Sequence, residues 1–299
     1  MPELSVVVVA YDMARELPRT LCSLAPRRQQ GIPASSYEII VVDNGSPDEL
    51  RPPPPDELGM PLRLHRIDVA AASPAAAANI GVGLASGAVI GLIVDGARMA
   101  SPGLLATALT ASRVSPRAVI TAPAWHLGPG LQIDAAANGY DEAAEDALLD
   151  GCGWEEDGYE LFAVSTPAAS SHRGLFGPMG ESSSLFMSHG LWEELGGLDE
   201  RFTLPGGGLV NHDLYRRACA LPESQLVVLL GEGTFHQIHG GAATSGRVTR
   251  DEMRTEYEAI RGEPHRPPSN RPVYVGSAPP QYMPYIASSL ELTGVERQR

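Results

Sequence analysis

The feature that most constrains the fold is the alternation of short apolar, β-branched runs with helical stretches over the first hundred residues. Apolar residues are nearly continuous in most of these runs, which is typical of strands covered by helices on both faces. Between the first two runs, Leu17, Leu21 and Leu24 recur at helical spacing. The pattern predicts βαβ units and a mostly parallel sheet in an α/β fold. The four strands that it predicts are residues 4–10, 37–43, 62–67 and 88–94.

Polar residues follow three of these strands directly. Tyr11 and Asp12 come after the first strand, Asp43 and Asn44 end the second, and Asp95 follows the fourth. In open α/β sheets, ligands bind outside the carboxyl ends of the strands. We therefore expect these side chains to share one crevice.

The rest of the chain is less regular. Further strands are predicted at residues 118–122, 183–187 and 225–230, and helices at residues 191–195 and 209–220 and from Asp251 onward. Residues 123–180 are irregular and rich in glycine and acidic residues. The end of the chain is proline-rich and predicts an extended arm that packs either on the body or on a partner subunit, so a homo-oligomer held by this arm is one expectation.

Composition excludes several classes of protein. Apolar residues make up 43% of the 299 residues and charged residues 19%, so the bulk of the chain is not disordered. The formal net charge is −14, and all 22 basic residues are arginine. A binder of phosphate backbones needs a basic face, so we expect no nucleic-acid partner.

The sequence also predicts a cytoplasmic protein without a membrane span. The three cysteines are far apart in the sequence, which is typical of reduced thiols and not of a metal or disulfide framework. Residues 69–94 carry no charge over a length that could cross a bilayer, but Ser73-Pro74, Asn79 and several glycines interrupt them. The apolar run near the N-terminus has no cationic region before it and predicts a strand, not a signal peptide.

Five segments occur in an order that resembles one enzyme family, the family 2 glycosyltransferases, which have the GT-A fold. The segments are SVVVVAYD (5–12), EIIVVDNGSPDE (38–49), AAANIGVGLASG (76–87), IVDGARMASPG (93–103) and WEELGGLDERF (192–202). The resemblance implies a Rossmann-like, mixed but mostly parallel sheet with helices on both faces, an irregular acceptor-side region and a C-terminal extension. It divides the chain into a nucleotide-sugar-binding half (1–100), an acceptor and catalytic half of the same domain (101–250) and a C-terminal helix with a proline-rich tail (251–299).

The resemblance also implies a donor site. Tyr11 would form a wall for the base, and Asp43 matches the aspartate with which the family recognises the base, although Asp-Asn-Gly-Ser suits a tight turn equally well. Asn79 matches the family's asparagine on the helix before the metal-binding strand, where a packing role is the alternative. The donor-binding residues that the resemblance implies are Ala10, Tyr11, Asp12, Asp43, Asn79, Asp95, Gly96, Ala97 and Arg98.

The metal motif departs from the family pattern. Asp95 occupies the first position of the family's Asp-X-Asp motif, but Ala97 replaces the second acid, which weakens a site for Mn²⁺ or Mg²⁺. Arg98 can neutralise the diphosphate in its place, since its planar fork suits phosphate. Alternatively, His236 and His239 complete a metal site with Asp95, or they form a buried hydrogen-bonded pair without an ion.

The general base is the least determined part of the site. An inverting transfer requires a group that deprotonates the acceptor hydroxyl. Alignment on Asp213-Leu214 and Arg217 places Asn211 at the family's base position, and an asparagine cannot take the proton. Asp213 itself, His212 and Glu181 are the other candidates. For Asp213, stabilisation of a helix N-terminus is the alternative role.

The resemblance predicts transfer of a sugar from a UDP- or dTDP-sugar to an acceptor hydroxyl with inversion, as in polysaccharide biosynthesis. The acceptor can be a saccharide, a lipid-linked glycan or a small metabolite. The alternative is a catalytically weakened relative that binds or scaffolds, because Ala97 and Asn211 each replace an expected acid. A nucleotidyltransferase is less favoured, since that class has a glycine-rich loop with a basic residue after strand one, and Ala10-Tyr11-Asp12-Met13 offers none.

Overall fold

The computed structural model describes residues 1–241 and 247–293, which form a mixed α/β fold. The strands are β1 (Leu4–Ala10), β2 (Tyr37–Asp43), β3 (Leu62–Arg66), β4 (Val89–Ile93), β5 (Arg98–Ala100), β6 (Ala118–Thr121), β7 (Ala124–Leu127), β8 (Ser165–Pro167), β9 (Ser184–Ser188), β10 (Gln225–Leu230), β11 (Thr234–His236) and β12 (Val273–Gly276). The helices are α1 (Glu16–Leu24), α2 (Pro55–Leu58), α3 (Ala75–Leu84), α4 (Leu104–Ala111), α5 (Gln132–Ala137), α6 (Glu142–Gly151), α7 (His189–Leu195), α8 (Val210–Ala220), α9 (Arg250–Arg261) and α10 (Met283–Leu292).

Two sheets organise these elements. The central sheet has eight strands in the order β12-β10-β6-β9-β4-β1-β2-β3, and all neighbours are parallel except those of β9. The smaller sheet has the order β5-β11-β7-β8. Only residues 94–97 separate β4 from β5, so the chain passes from the central sheet to the small one at Asp95. The predicted α/β class with a mostly parallel sheet is confirmed.

Both faces of the inner strands of the central sheet are covered, which explains their nearly continuous apolar runs. Val6 and Val8 of β1 pack in one core with α1 and α4. Val7 and Val9 point the other way and pack in a second core with α3, α7 and α8. Successive side chains of a strand face opposite sides, so a doubly covered strand needs apolar residues at every position.

The C-terminal arm packs on the body of the same chain. Its strand β12 pairs in parallel with β10 at one end of the central sheet. Tyr282 and Tyr285 are buried in a third core, where both rings make edge contacts with Trp125. The sequence allowed the arm to pack either on the body or on a partner subunit, and in the structure it packs on the body.

The uncharged segment of residues 69–94 is divided between two elements. Its first part contains α3, of 10 residues, and its second part contains β4. Within residues 1–241 and 247–293, every helix is too short or too polar to cross a lipid bilayer.

Candidate active site

A cavity of about 700 Å³ opens where the carboxyl ends of β1, β2 and β4 meet the small sheet. Its size is that of a site for a small molecule or cofactor. The strand ends contribute Ala10, Tyr11, Asp12, Asn44 and Asp95 to its lining, the small sheet contributes Arg98, His126 and His236, and nearby segments contribute Asn211, His239 and Arg247.

Asp43 does not line this cavity, although the sequence suggested it as the residue that recognises the base. Its side chain is 1% exposed, and both carboxylate oxygens are engaged. Ser46 donates to Oδ1 from its backbone N–H at 2.9 Å and its hydroxyl at 2.6 Å, and Arg66 donates to Oδ2 at 2.9 Å. The Asp12 N–H in turn donates to Ser46 Oγ at 2.9 Å. Through Ser46, Asp43 thus connects the loops after β1 and β2 by hydrogen bonds. This placement agrees with the turn role that the sequence left open.

The next residue, Asn44, faces the cavity instead. Its side-chain Nδ2 donates to the carbonyl oxygen of Ala71 at 2.8 Å, which fixes the orientation of the amide because a carbonyl can only accept. Asn44 is 4% exposed, and its Oδ1 is buried without a hydrogen-bond partner among the described residues. Gly45 has φ +78°, and a Cβ there would lie 2.5 Å from the backbone nitrogen of Ala70, so this glycine lets residues 70–72 pass close to Asn44.

Asp95, His236 and His239 meet on one side of the cavity. His236 Nε2 lies 2.7 Å from Asp95 Oδ2 and 3.0 Å from His239 Nε2, and His239 Nε2 lies 3.4 Å from Asp95 Oδ2. Each residue offers one ligand atom within 4.8 Å of the others. A carboxylate with two imidazoles is a donor set that suits divalent transition metals.

The turn that carries the two histidines is held at its backbone. The Gln237 N–H donates to the Ala97 carbonyl at 2.9 Å, and the Ile238 N–H donates to Glu145 Oε2 at 2.7 Å. Arg15 donates to the Ile238 carbonyl at 3.2 Å. These bonds fix the spacing of the histidines because they hold both residues between them.

Burial and neighbouring charge set the protonation of this cluster. Burial alone would raise the pKa of Asp95, but His239 and His236 hold it well below its usual range. Burial lowers the pKa of His236 to about 4, and the positive charge of Arg98 adds to this effect against the attraction of Asp95. For His239, burial is outweighed by Asp95 and the pKa is raised. The cluster therefore pairs a carboxylate with one imidazole that stays neutral and one that is more basic.

The side chain of Ala97, which replaces the second acid of the family's motif, faces the protein core. Ala97 is fully buried in the core that contains α1 and α4. Its backbone N–H donates to Asp95 Oδ1 at 3.0 Å. The next residue, Arg98, lines the cavity, and its Nε and Nη1 are buried without a hydrogen-bond partner among the described residues. Buried guanidinium nitrogens without partners are costly unless an anion pairs with them.

His126 was not predicted, and the register of the small sheet brings it to the site. His236 pairs with Arg98 on one side and with His126 on the other. The ring centroids of His126 and His236 lie 5.7 Å apart. The strand β7 that carries His126 falls in the segment that the sequence indicated as irregular, so no periodic signal pointed to this residue.

The four candidates for the general base occupy different environments. His212 does not line the cavity, and its Nδ1 lies 3.1 Å from Ser182 Oγ. Asn211 lines the cavity and donates from Nδ2 to Ser182 Oγ at 3.0 Å. Asp213 is fully buried and does not line the cavity; Arg217 donates to it at 2.8 Å and Arg261 at 2.6 Å. These ion pairs occupy the carboxylate, so its placement is that of a structural group.

Glu181 is also buried away from the cavity. It accepts hydrogen bonds from Ser170 and from the Ser183 N–H. Burial raises the pKa of Glu181, but the charge of Arg98 and these hydrogen bonds outweigh it and leave the pKa lowered. A carboxylate in this environment is a poor proton acceptor.

Asn79 and Gly96 support the site without lining it. Asn79 donates to the Leu198 carbonyl and accepts from the Leu198 N–H, at 2.9 and 2.8 Å, so it joins α3 to the loop after α7. A Cβ on Gly96 would lie 2.9 Å from Ala10 Cβ, which shows how closely the two strand ends approach. The packing role that the sequence left open for Asn79 agrees with these contacts.

Comparisons with known proteins bear on the family and the fold. Residues 5–95 match the model of glycosyl transferase family 2. No curated protein matches the chain in sequence. Among solved structures, the chain is similar to a mannosyltransferase, PcManGT from Pyrobaculum calidifontis, in complex with GDP-Man and Mn²⁺, with 16% identity, a TM-score of 0.54 and coverage of 97% of this chain and 70% of that one.

Two structures of TarS from S. aureus are also similar. The complex with UDP-GlcNAc has 13% identity and a TM-score of 0.53, over 86% of this chain and 67% of that one. The complex with UDP has 13% identity and a TM-score of 0.51, over 80% of this chain, and the match spans 61% of the TarS chain. The predicted resemblance is thus confirmed: the chain is similar to family 2 glycosyltransferases in residues 5–95 and has the GT-A fold of glycosyltransferases.

Proposed function

We propose that the protein is a glycosyltransferase that binds a nucleoside-diphosphate sugar in the cavity and transfers the sugar to an acceptor hydroxyl. The observation that carries the proposal is the cluster of Asp95, His236 and His239 beside Arg98, at the carboxyl ends of β1, β2 and β4. Nε and Nη1 of Arg98 have no hydrogen-bond partner among the described residues. A diphosphate needs positive charge on several sides, and Arg98 together with a cation bound by this cluster would supply it.

Asp95, His236 and His239 would hold a divalent cation, and the donor set favours Mn²⁺ over Mg²⁺ because Mg²⁺ prefers oxygen ligands. When bound, such a cation stabilises the negative charge that develops on the leaving diphosphate. The similar mannosyltransferase structure contains Mn²⁺ with its GDP-Man. Arg98 would contribute two further donors to the same diphosphate.

Asn44 would bind the base. Its Oδ1 has no partner among the described residues and can only accept. It therefore favours a base with an N–H at the centre of its pairing edge, as in uracil, thymine and guanine. Cytosine and adenine present a lone pair at that position. Tyr11, which is 45% exposed in the cavity lining, would stack on the base. These features support the UDP- or dTDP-sugar that the sequence favoured and admit a GDP-sugar.

A second function is favoured by Asn211. This residue lines the cavity at the position where the family carries its base, and its amide cannot take a proton. A protein that binds nucleotide sugars without turnover would keep the donor site and lose this acid.

For the enzyme we propose inversion at the anomeric carbon, with a saccharide, a lipid-linked glycan or a small metabolite as acceptor.

Thermal-shift binding tests the donor site. UDP, dTDP, GDP, ADP and CMP are each added with Mn²⁺, with Mg²⁺ and with EDTA. We expect UDP, dTDP or GDP to raise Tm with Mn²⁺, and the shift to shrink in EDTA. A shift that persists fully in EDTA would assign the diphosphate to Arg98 alone, and the absence of any shift would refute the donor site.

Matched variants assign the result to residues. Asp95→Asn should abolish the Mn²⁺-dependent part of the shift, whereas Asp150→Asn, on the exposed side of α6, should leave it unchanged. Asn44→Leu should remove the preference among the bases. Turnover with candidate acceptors then separates a glycosyltransferase from a protein that only binds nucleotide sugars. If the protein turns over, ¹H NMR of the product gives the anomeric configuration. An Asn211→Asp variant that gains turnover would favour the weakened relative.

A further inference from the structure

We infer that His126 binds the diphosphate of the donor through its Nε2–H group. The inference rests on the proposed function and adds to it a residue outside the segments that resemble the family. Three observations carry it. They are the position of His126 in the small sheet, the tautomer of its ring, and Gln132, which hydrogen-bonds both to His126 and to the turn between His236 and His239.

The position of His126 follows from strand register. Partners in register on neighbouring strands present their side chains on the same face of a sheet. Arg98, His236 and His126 are such partners across β5, β11 and β7, and all three line the cavity. The side chain proposed to ligate the cation therefore has an arginine on one side and His126 on the other. A diphosphate bound to that cation would have these two side chains as its neighbours.

The tautomer of His126 is fixed by its own hydrogen bond. The backbone N–H of Gln132 donates to His126 Nδ1 at 2.8 Å, so Nδ1 carries a lone pair and the proton of the neutral ring is on Nε2. Nε2 has no hydrogen-bond partner among the residues described. Because Nδ1 accepts the bond from the Gln132 N–H, the ring is neutral and its Nε2–H is available to donate.

Gln132 connects His126 to the proposed metal site. Its backbone N–H holds the His126 ring, while its side-chain Nε2 donates to the Gln237 carbonyl at 2.9 Å, between the two histidines of the turn. Gln132 is 1% exposed and begins α5. One buried residue thus sets the orientation of His126 and the position of His236 and His239 together, which is how a site with several ligand-binding groups is preorganised.

The competing role for His126 is purely structural. The N–H of Gln132 belongs to the first turn of a helix and needs an acceptor, which Nδ1 supplies. Two substitutions separate the roles. His126→Asn keeps an acceptor near the Nδ1 position and removes the donor at the tip of the ring. His126→Gln places an amide N–H near the Nε2 position and loses the acceptor near Nδ1.

Binding of inorganic pyrophosphate with Mn²⁺, measured by calorimetry on the full chain, is the test. We expect His126→Asn to weaken binding at least tenfold with little change in Tm, and His126→Gln to stay within about threefold of wild type. His65→Asn, at an exposed position of β3, is the control. Wild-type affinity in His126→Asn, equal weakening in both variants, or no binding to the unmodified protein would each overturn the inference.

Pyrophosphate has neither base nor sugar, so this result is distinguishable from the test of the proposed function. Wild-type protein that binds pyrophosphate but no nucleotide would refute the donor proposal and leave His126 as a phosphate-binding residue.

A ¹⁵N spectrum of histidine-labelled protein gives an independent readout of the His126 tautomer. We expect the Nδ1 of His126 to show the shift of an unprotonated nitrogen, and a protonated Nδ1 would contradict the tautomer.

Discussion

Glu232 provides a quantitative test of the structure, because its buried carboxyl couples folding to pH. It lies between β10 and β11 and is 4% exposed. Its oxygens accept hydrogen bonds from the Ser101 hydroxyl, the Gly103 N–H and the Tyr159 hydroxyl. Burial raises its pKa from 4.5 to about 7, even though these three hydrogen bonds act to lower it.

The sign and size of the effect follow from this pKa. Between pH 4.5 and 7 the unfolded chain has released the proton of Glu232 while the folded chain still binds it, so stability falls as pH rises. One pKa unit corresponds to ~1.36 kcal/mol, which gives about 3 kcal/mol in total, of which about 2.5 kcal/mol is lost between pH 5 and pH 8. Glu232→Gln resembles the protonated carboxyl, because its amide N–H can donate to the Tyr159 oxygen. The variant should not show this loss.

The pH dependence of the free energy of unfolding is measured by urea unfolding, followed by tryptophan fluorescence, at pH 5, 6, 7 and 8. Other acidic groups titrate in both proteins, so the quantity of interest is the difference between the two stability profiles. We expect the free energy of unfolding of Glu232→Gln, relative to wild type, to rise by about 2.5 kcal/mol from pH 5 to pH 8. Glu49→Gln, at an exposed position, is the control. A difference that stays constant within about 0.5 kcal/mol would refute the assignment.

Three further predictions concern stability and metal binding. Asp213→Asn should lower the free energy of unfolding by ~3 kcal/mol in urea titrations, because two arginines lose a buried carboxylate, and should leave the affinity for nucleotide unchanged. Gly91→Ala should be destabilised by ~1–3 kcal/mol, since the new Cβ would lie 2.3 Å from Phe186 Cε1, and calorimetric Tm measures this. Glu145→Ala removes the acceptor for the Ile238 N–H and should weaken Mn²⁺ binding about tenfold by electron paramagnetic resonance, whereas Glu145→Gln, which keeps an acceptor, should restore most of it.

The sequence predicted the strands of the central sheet except β12, and it predicted none of the small sheet. The bounds of β1, β2 and β10 are those expected, since each is a run of six or seven residues in which burial on both faces demands apolar side chains. The strands β5 and β11 have three residues each, and β7 has four, which is too short for a period of two to be recognised. His126 was missed for this reason.

The lining of the cavity was predicted where it depends on strand ends and not where it depends on side-chain direction. The rule that ligands bind at the carboxyl ends of strands placed Tyr11, Asp12 and Asp95 at one crevice. Whether Asp43 or Asn44 faces that crevice depends on a neighbour in another strand, because Arg66 pairs with Asp43 in register and binds its carboxylate.

The candidates for the base show the same limit. The partner that occupies Asp213 most closely is Arg261, 48 residues away at the end of α9. No pattern along the chain indicates that contact, so sequence reasoning could not separate a catalytic from a structural acid.

The pairing of β12 with β10 has a consequence for the behaviour of shortened chains. β10 reads QLVVLL, an uncharged strand that is apolar at five of its six positions and has a strong preference for pairing. With β12 beside it, the sheet ends in a four-residue strand at one side and in β3, which carries Arg63, His65 and Arg66, at the other. Short and charged borders discourage the addition of strands from other molecules. A chain that stops after α9 would leave this edge of β10 unpaired, and we expect such a chain to associate with its own copies through β10.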